Sequence, residues 1–309
     1  MTDEETPIFL LCNSLLLMNF GHYLCNFVKY KMSHTVVIDQ QRQYQNYSPS
    51  LFRQLVRKNL YSGPTNGICI GYIQCHLVVM DSSLAMDFIT FCQRNHQSCP
   101  MLEICVDDGN SQSYKPTELA SSDMVDLRTD LPKYSIYRNG QWENDITDAT
   151  SVWPDNAVSF LIGSSFSYDG AFIDAGIPLR SVDANKNVPY YITNIPCQSA
   201  GRFCGNIVVS MKPIPCTMVS EEVLITQEYP YIHGTPICIG GDGSNIGIND
   251  LNTPDFGESI TFQPNEDVPV FHKSGMTIHN VIIMSGIPFA IASAAGCMFV
   301  TDRPTPDYL

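Results

Sequence analysis

The chain has 309 residues, 44% hydrophobic and 16% charged, a composition that supports a well-buried globular protein and argues against disorder. Asp and Glu number 31 against 17 Lys and Arg, a formal net charge of -14 that disfavours nucleic acid or an anionic lipid surface and leaves a small molecule as the easier partner. Twelve cysteines are scattered without a C-x-x-C pair, several inside apolar runs such as ITFCQ and PICIG, so zinc-ribbon and thioredoxin readings lack support and a reducing compartment is favoured.

Residues 8–28 are uncharged and Leu-rich, between an acidic start (Asp3, Glu4, Glu5) and Lys29 and Lys31. Asn13, Ser14, Asn19, Gly21, His22 and Asn26 dilute the run, so membrane attachment is not expected unless this segment is an anchor. The acidic start argues against a signal or transit peptide, and the expected location is cytoplasmic, with mitochondrial as the alternative. Residues 1–46 are set apart as an N-terminal extension, and Met32 is an alternative start.

Residues 74–80 and 100–106 read as strands around a helix capped by Ser83, in which Leu84, Phe88, Ile89 and Cys92 recur at helical spacing. The polar stretch 107–124 reads as an exposed connection. YSIYRNGQWE (134–143) is a hairpin with Asn139 and Gly140 at its turn. A helix is expected from Asp155, and Gly176 is placed to end a second one. IPLRSV, VPYYIT and NIVVSM are strand candidates, and Ser220 is expected to cap a helix that Pro230 stops. Strands at 268–272, 288–293 and 297–302, with a helix from Thr277, complete the chain. Alternating apolar strands and helices predict an α/β fold with a mixed sheet covered by helices, formed by 47–125 plus 230–309. An α+β two-layer domain, 126–229, is expected as an insertion, with the substrate cleft at the junction.

The segment YITNIPCQSAGRFCGNIVVSMKP (191–213) gathers Asn194, Cys197, Arg202 and Ser210 between two strand-like runs. Arg202 in a Pro/Gly-flanked loop is suited to hold a carboxylate or phosphate, the alternative being a surface ion pair. For an anionic ligand, Arg94, Arg128 and Lys212 are the other cations to follow. His233 beside Gly234 can carry a proton in a cleft or simply close a turn. Asp126, Arg128 and Asp130 would share one face of a strand, as a site or as a structural salt bridge. Cys197 lacks a neighbouring base and reads as structural, and GGDGSNIG (240–247) reads as a tight loop, without the Gly-Lys-Ser/Thr ending of a P-loop.

Ordered blocks from Ser48 to Asp302 carry a resemblance, among them GPTNGICIGYIQCHL, DLRTDLPKYSIYRNG, FLIGSSFSYDGAFIDAGIPLR, NVPYYITNIPCQSAGRF, HGTPICIG and IGINDLNTPDFG. Together they are similar to the D-glutamate cyclase family, whose reaction is the reversible, hydro-lyase cyclisation of D-glutamate to 5-oxo-D-proline. The resemblance implies a small amino dicarboxylate as partner in D-amino acid metabolism and no nucleotide cofactor; a divalent metal stays open. It assigns the α-carboxylate clamp to Arg202 or Arg128, proton transfer to His233 or Asp130, and polar positioning to Gln74, Asn194 and Ser167. The chain departs from the family's H-x-P-G-H, with Ser293 and Cys297 at the His positions and Ala295 at the Pro, and from the basic residue before T-N-I-P, where Ile192 stands. Two readings therefore stand: an active lyase, and a catalytically silent member that binds a ligand or partner.

Overall fold

The structure, a computed structural model, describes residues 41–107, 112–120, 124–263 and 265–308, so the possible anchor at 8–28 lies outside the described residues. Strand β1 (Tyr72–Asp81) is the hinge of the architecture. Its run YIQCHLVVMD is buried between its ends, which places it inside a sheet covered on both faces. One edge pairs with β5 (Ala157–Gly163), from Cys75 opposite Gly163 to Asp81 opposite Ala157, and β2 (Met101–Val106) lies beyond β5. Two strands share the other edge: β10 (Phe289–Ser293) meets Val78 and Val79, and β11 (Phe299–Pro304) meets residues 72–75. Leu77 falls at the changeover, and its N–H donates to Ser293 Oγ at 3.3 Å instead of to a strand.

Beyond β10 lie β3 (Tyr134–Arg138) and β4 (Gln141–Ile146), the expected hairpin, with Asn139 and Gly140 at φ 51° and 73° as a two-residue turn of the primed kind requires. The second sheet runs β6 (Tyr190–Pro196), β7 (Asn206–Pro215), β9 (Asp267–Lys273), β8 (Cys238–Ile239). Every strand pair among the described residues is antiparallel. The helices are α1 (Pro49–Arg57), α2 (Ala85–Arg94), α3 (Asp169–Asp174), α4 (Arg180–Asp183), α5 (Val219–Gln227) and α6 (Thr277–Ser285). Helices are interspersed among the strands as in an α/β protein, and residues from Gln41 onward form one compact unit. Val78, Met80, Phe160 and Ile162 of the first sheet share a core with Val209, Met211 and Phe271 of the second, with α2 and α6 contributing Phe88, Phe91, Val281 and Ile282.

Several local expectations change. The helix expected from Asp155 is β5, because AVSFLIG is an apolar run interrupted only by Ser159 and buried throughout, a pattern without a period to read. IPLRSV is not a strand: its last three residues, Arg180 to Val182, already belong to α4. Ser220 lies inside α5, which follows a 3-10 turn at Cys216–Met218, and Asp81, not Ser83, caps the turn before α2 by accepting the Ser83 N–H at 2.9 Å. Strands β9 and β10 belong to different sheets, so α6 links the sheets rather than crossing over within one. Both sheets also draw strands from each side of the boundaries expected at 126 and 229: β3, β4 and β5 join β1 and β10, while β9 joins β6 and β7. No helix among the described residues is long and apolar enough to cross a membrane.

Candidate active site

Side chains alternate along β7, so with Val209 and Met211 committed to the core between the sheets, Ser210 and Lys212 emerge on the opposite face. His272 lies across from Ser210 on β9 and shares that face. What covers it is the chain leaving β5. Ser164 Oγ accepts the Phe166 N–H at 3.4 Å and starts a 3-10 turn (Ser165–Tyr168) that runs straight into α3, delivering Tyr168 and Asp169 to the lysine.

Asp169 and Lys212 are 3.5 Å apart with side chains 4% and 9% exposed. Asp169 Oδ2 also accepts the Gly67 N–H at 3.0 Å, and Lys212 Nζ stands 4.5 Å and 4.7 Å from the Tyr168 and Phe172 ring centroids. Burial raises the Asp169 pKa and lowers that of Lys212, while each partner's charge pulls the other back. The two ionised forms are thereby brought nearer to their neutral ones, which suits groups that exchange protons. Beyond the Tyr168 ring, His272 Nε2 meets Glu222 Oε1 at 2.5 Å, both side chains fully buried, and His272 Nδ1 is 3.3 Å from Gly234 O. Tyr168 OH, Ser210 Oγ and Glu222 Oε2 are buried without a hydrogen-bond partner among the described residues, and Lys212 Nζ has only its ion pair with Asp169. So many unpaired polar atoms on one face are costly in a core and ordinary in a site that receives a polar ligand.

A narrow cavity with room for little more than one water opens beside the pair, and Asn66, Asp169, Arg180, Ser181 and Lys212 contribute its polar lining. Pro178 and Leu179 form a wall shared with a more open cleft of about 410 Å³ that also reaches Gly67, Val182 and Asp183.

Of the residues expected from sequence, Gln74 and Ser167 are brought together next to this site. The Gln74 N–H donates to Ser167 Oγ at 3.0 Å, and Gln74 Nε2 donates to Thr65 O and Ile68 O at 3.1 and 3.0 Å. His233 is buried at a positive φ of 72°, its Nδ1 2.8 Å from Gln97 O. Burial brings its pKa down to about 4, with His272 and Lys212 among the nearby charges that lower it further. Asp130 stands apart: it is ion-paired with Arg57 and lies 3.8 Å from Arg53. Arg128 is bound to Asp126 at 2.6 Å and lies over the Tyr114 ring at 3.5 Å. Residues 126–130 form a turn closed by Asp130 N to Asp126 O at 3.0 Å, so the shared strand face does not form. Arg202 is exposed, without a hydrogen bond or ion pair among the described residues, in a loop that Arg94 and Asn95 of the α2 end hold through Ser199 O and Gln198 O. Asn194 is exposed as well.

Every described cysteine is a free thiol, and burial pushes Cys197 and Cys297 up to about 12, which leaves both poor nucleophiles at neutral pH. Among the described residues no group of three or more His, Cys, Asp and Glu side chains is arranged to hold a metal ion. Sequence reasoning followed Lys212 only as one cation among several and passed over Asp169, Arg180 and the pairing of Glu222 with His272. The available signal was a lone lysine inside the apolar strand NIVVSMKPIP, which a buried counter-charge has to explain.

Fold and site together define a two-sheet α/β protein with a buried acid–lysine pair at a small polar cavity. The family model described as D-glutamate cyclase matches residues 158–302. Relatives named "Putative hydro-lyase" include one from Natranaerobius thermophilus, 44% identical over 256 residues, covering 83% of this chain and 95% of the relative. Another, from Bacillus pumilus, is 42% identical over 260 residues, covering 84% and 96%. The chain belongs to the D-glutamate cyclase family. A solved nitrogen repressor-like protein from Methanococcus jannaschii aligns over 75% of this chain and 88% of its own at TM-score 0.32 and 9% identity, too slight a likeness to bear on the fold.

Proposed function

We propose that the protein is a hydro-lyase interconverting D-glutamate and 5-oxo-D-proline at the Asp169–Lys212 cavity, which has to widen from its one-water size to admit them. The observation that carries this is the convergence of a buried carboxyl, a buried ammonium and an arginine on one small cavity, in a member of this family. Cyclisation forms the bond from the α-nitrogen to the γ-carboxyl carbon and breaks a carbon–oxygen bond. Two protons leave the ammonium nitrogen and both depart on the oxygen as water, so one shuttling group closes the balance without an external acid. Asp169 suits that role because burial raises its pKa, allowing it to take a proton from nitrogen and return it to oxygen. Lys212 suits the γ-carboxyl, whose developing negative charge it meets in a dry setting.

A second reading, ligand binding without turnover, draws on the narrowness of the cavity and on Ser293 and Cys297, which occupy the family's histidine positions and are tied to Leu77 N and Gly63 O. The test is conversion of D-glutamate and of 5-oxo-D-proline, followed by proton NMR, for the wild type and Asp169→Asn. Turnover by the wild type with a loss of about 100-fold or more in kcat in the variant is expected. Undiminished turnover in Asp169→Asn would remove Asp169 from the chemistry. Wild-type binding of D-glutamate by calorimetry with no conversion would favour the second reading.

A further inference from the structure

We infer that Arg180 holds the α-carboxylate of the substrate and so selects amino dicarboxylates over simple ω-amino acids, an inference that rests on the function proposed above. Two negative groups on one small ligand need two donors at a fixed spacing. The cavity offers them as Lys212 from β7 and Arg180 from the start of α4. The guanidinium is anchored on one side only: Nη2 donates to Asp267 Oδ1 at 2.8 Å, and the Asp267 side chain is fully buried. Asp267 is itself fixed, since its Oδ2 accepts the Gln263 N–H at 2.9 Å. Nε of Arg180 is buried and has no hydrogen-bond partner among the described residues. A guanidinium held by one carboxylate, with an unpartnered buried N–H in a residue that lines the cavity, is pre-organised for a second carboxylate.

The arginines favoured from sequence do not compete for this task. Arg128 is engaged by Asp126 and Tyr114, and Arg202 is exposed. Arg180 also lies next to the wall that the cavity shares with the open cleft. Pro178 and Leu179 separate the open cleft from the cavity, with Val182 and Asp183 on the cleft side and Arg180 and Ser181 on the cavity side.

The experiment compares D-glutamate with 4-aminobutyrate, which lacks the α-carboxylate and closes to its lactam by the same bond changes. Steady-state turnover of both is measured for the full chain as wild type, Arg180→Ala and Arg180→Lys, with thermal melts to confirm folding. Arg180→Ala should raise KM for D-glutamate about tenfold to 100-fold while leaving kcat/KM for 4-aminobutyrate within about twofold; Arg180→Lys should recover part of the loss. An equal loss on both substrates, or no loss on either, would overturn the assignment and leave Arg180 as a structural partner of Asp267. If the wild type turns over neither compound, the proposed activity fails, and calorimetry decides the inference separately. There, preference for D-glutamate over 4-aminobutyrate that disappears in Arg180→Ala upholds it; absence of binding, or an unchanged preference, overturns it.

Discussion

Replacing Lys212 with Met tests whether the acid–lysine pair is as buried and interdependent as it looks. The substitution keeps most of the side-chain volume between the Tyr168 and Phe172 rings but leaves Asp169, 4% exposed, without its counter-charge. Breaking a buried pair from one side costs about 3–5 kcal/mol. At about 2–4 °C per kcal/mol for a large domain, the melting temperature should fall by roughly 6–20 °C. The loss depends on pH with a definite sign. Burial already raises the Asp169 pKa, and Lys212 is the first of the groups drawing it down. Without Lys212 the folded state keeps the proton to a higher pH than the unfolded chain does. Between those two values the folded state binds more protons, so the variant loses stability as pH rises and is less impaired near pH 5 than near pH 8. Asp169→Asn combined with Lys212→Met removes both charges, and its destabilisation should shrink to within about 2 kcal/mol of wild type. Urea unfolding followed by circular dichroism at the two pH values measures all of this. A single variant within about 1 kcal/mol of wild type, or a double variant that loses the sum of both single effects, would refute the coupling.

Ser293→Ala should destabilise the fold by about 1–2 kcal/mol in the same unfolding assay, because it strands the buried Leu77 N–H where β1 passes from β10 to β11. Arg202→Ala should leave both melting temperature and D-glutamate binding unchanged, to within about 0.5 kcal/mol, since the side chain is exposed without a polar partner among the described residues; a tenfold loss of affinity by calorimetry would return it to the site.

What the sequence disclosed depended on how local the deciding interaction is. The Asn139–Gly140 turn was legible because two adjacent residues supply the positive φ angles the hairpin needs. Strand β5 was not, because a strand buried on both faces has lost the alternation that separates strand from helix. The turn at 126–130 misled for a related reason: Asp126, Arg128 and Asp130 share a face only in a strand, and the backbone closes a turn there instead. Gln74 and Ser167 were singled out through the family resemblance alone, and the structure joins them to each other across 93 positions of sequence. Asp169 stayed hidden because SYDGAF reads as an ordinary helix start. Only the placement of β7 over that turn turns an unremarkable aspartate into the partner of Lys212.

The divided edge of β1 bears on how the chain can be made. Leu77 is completed by Ser293, 216 positions later, and the rest of that edge by β10 and β11. A chain emerging from the ribosome therefore carries this buried strand with one side open until residues 289–304 have appeared. Contacts this distant in sequence form slowly, and an unpaired strand edge invites pairing with other chains. Truncation just before β10 would spare every residue lining the cavity beside Lys212 and still leave a product prone to aggregate, so loss of function on such shortening would report on assembly rather than on that cavity.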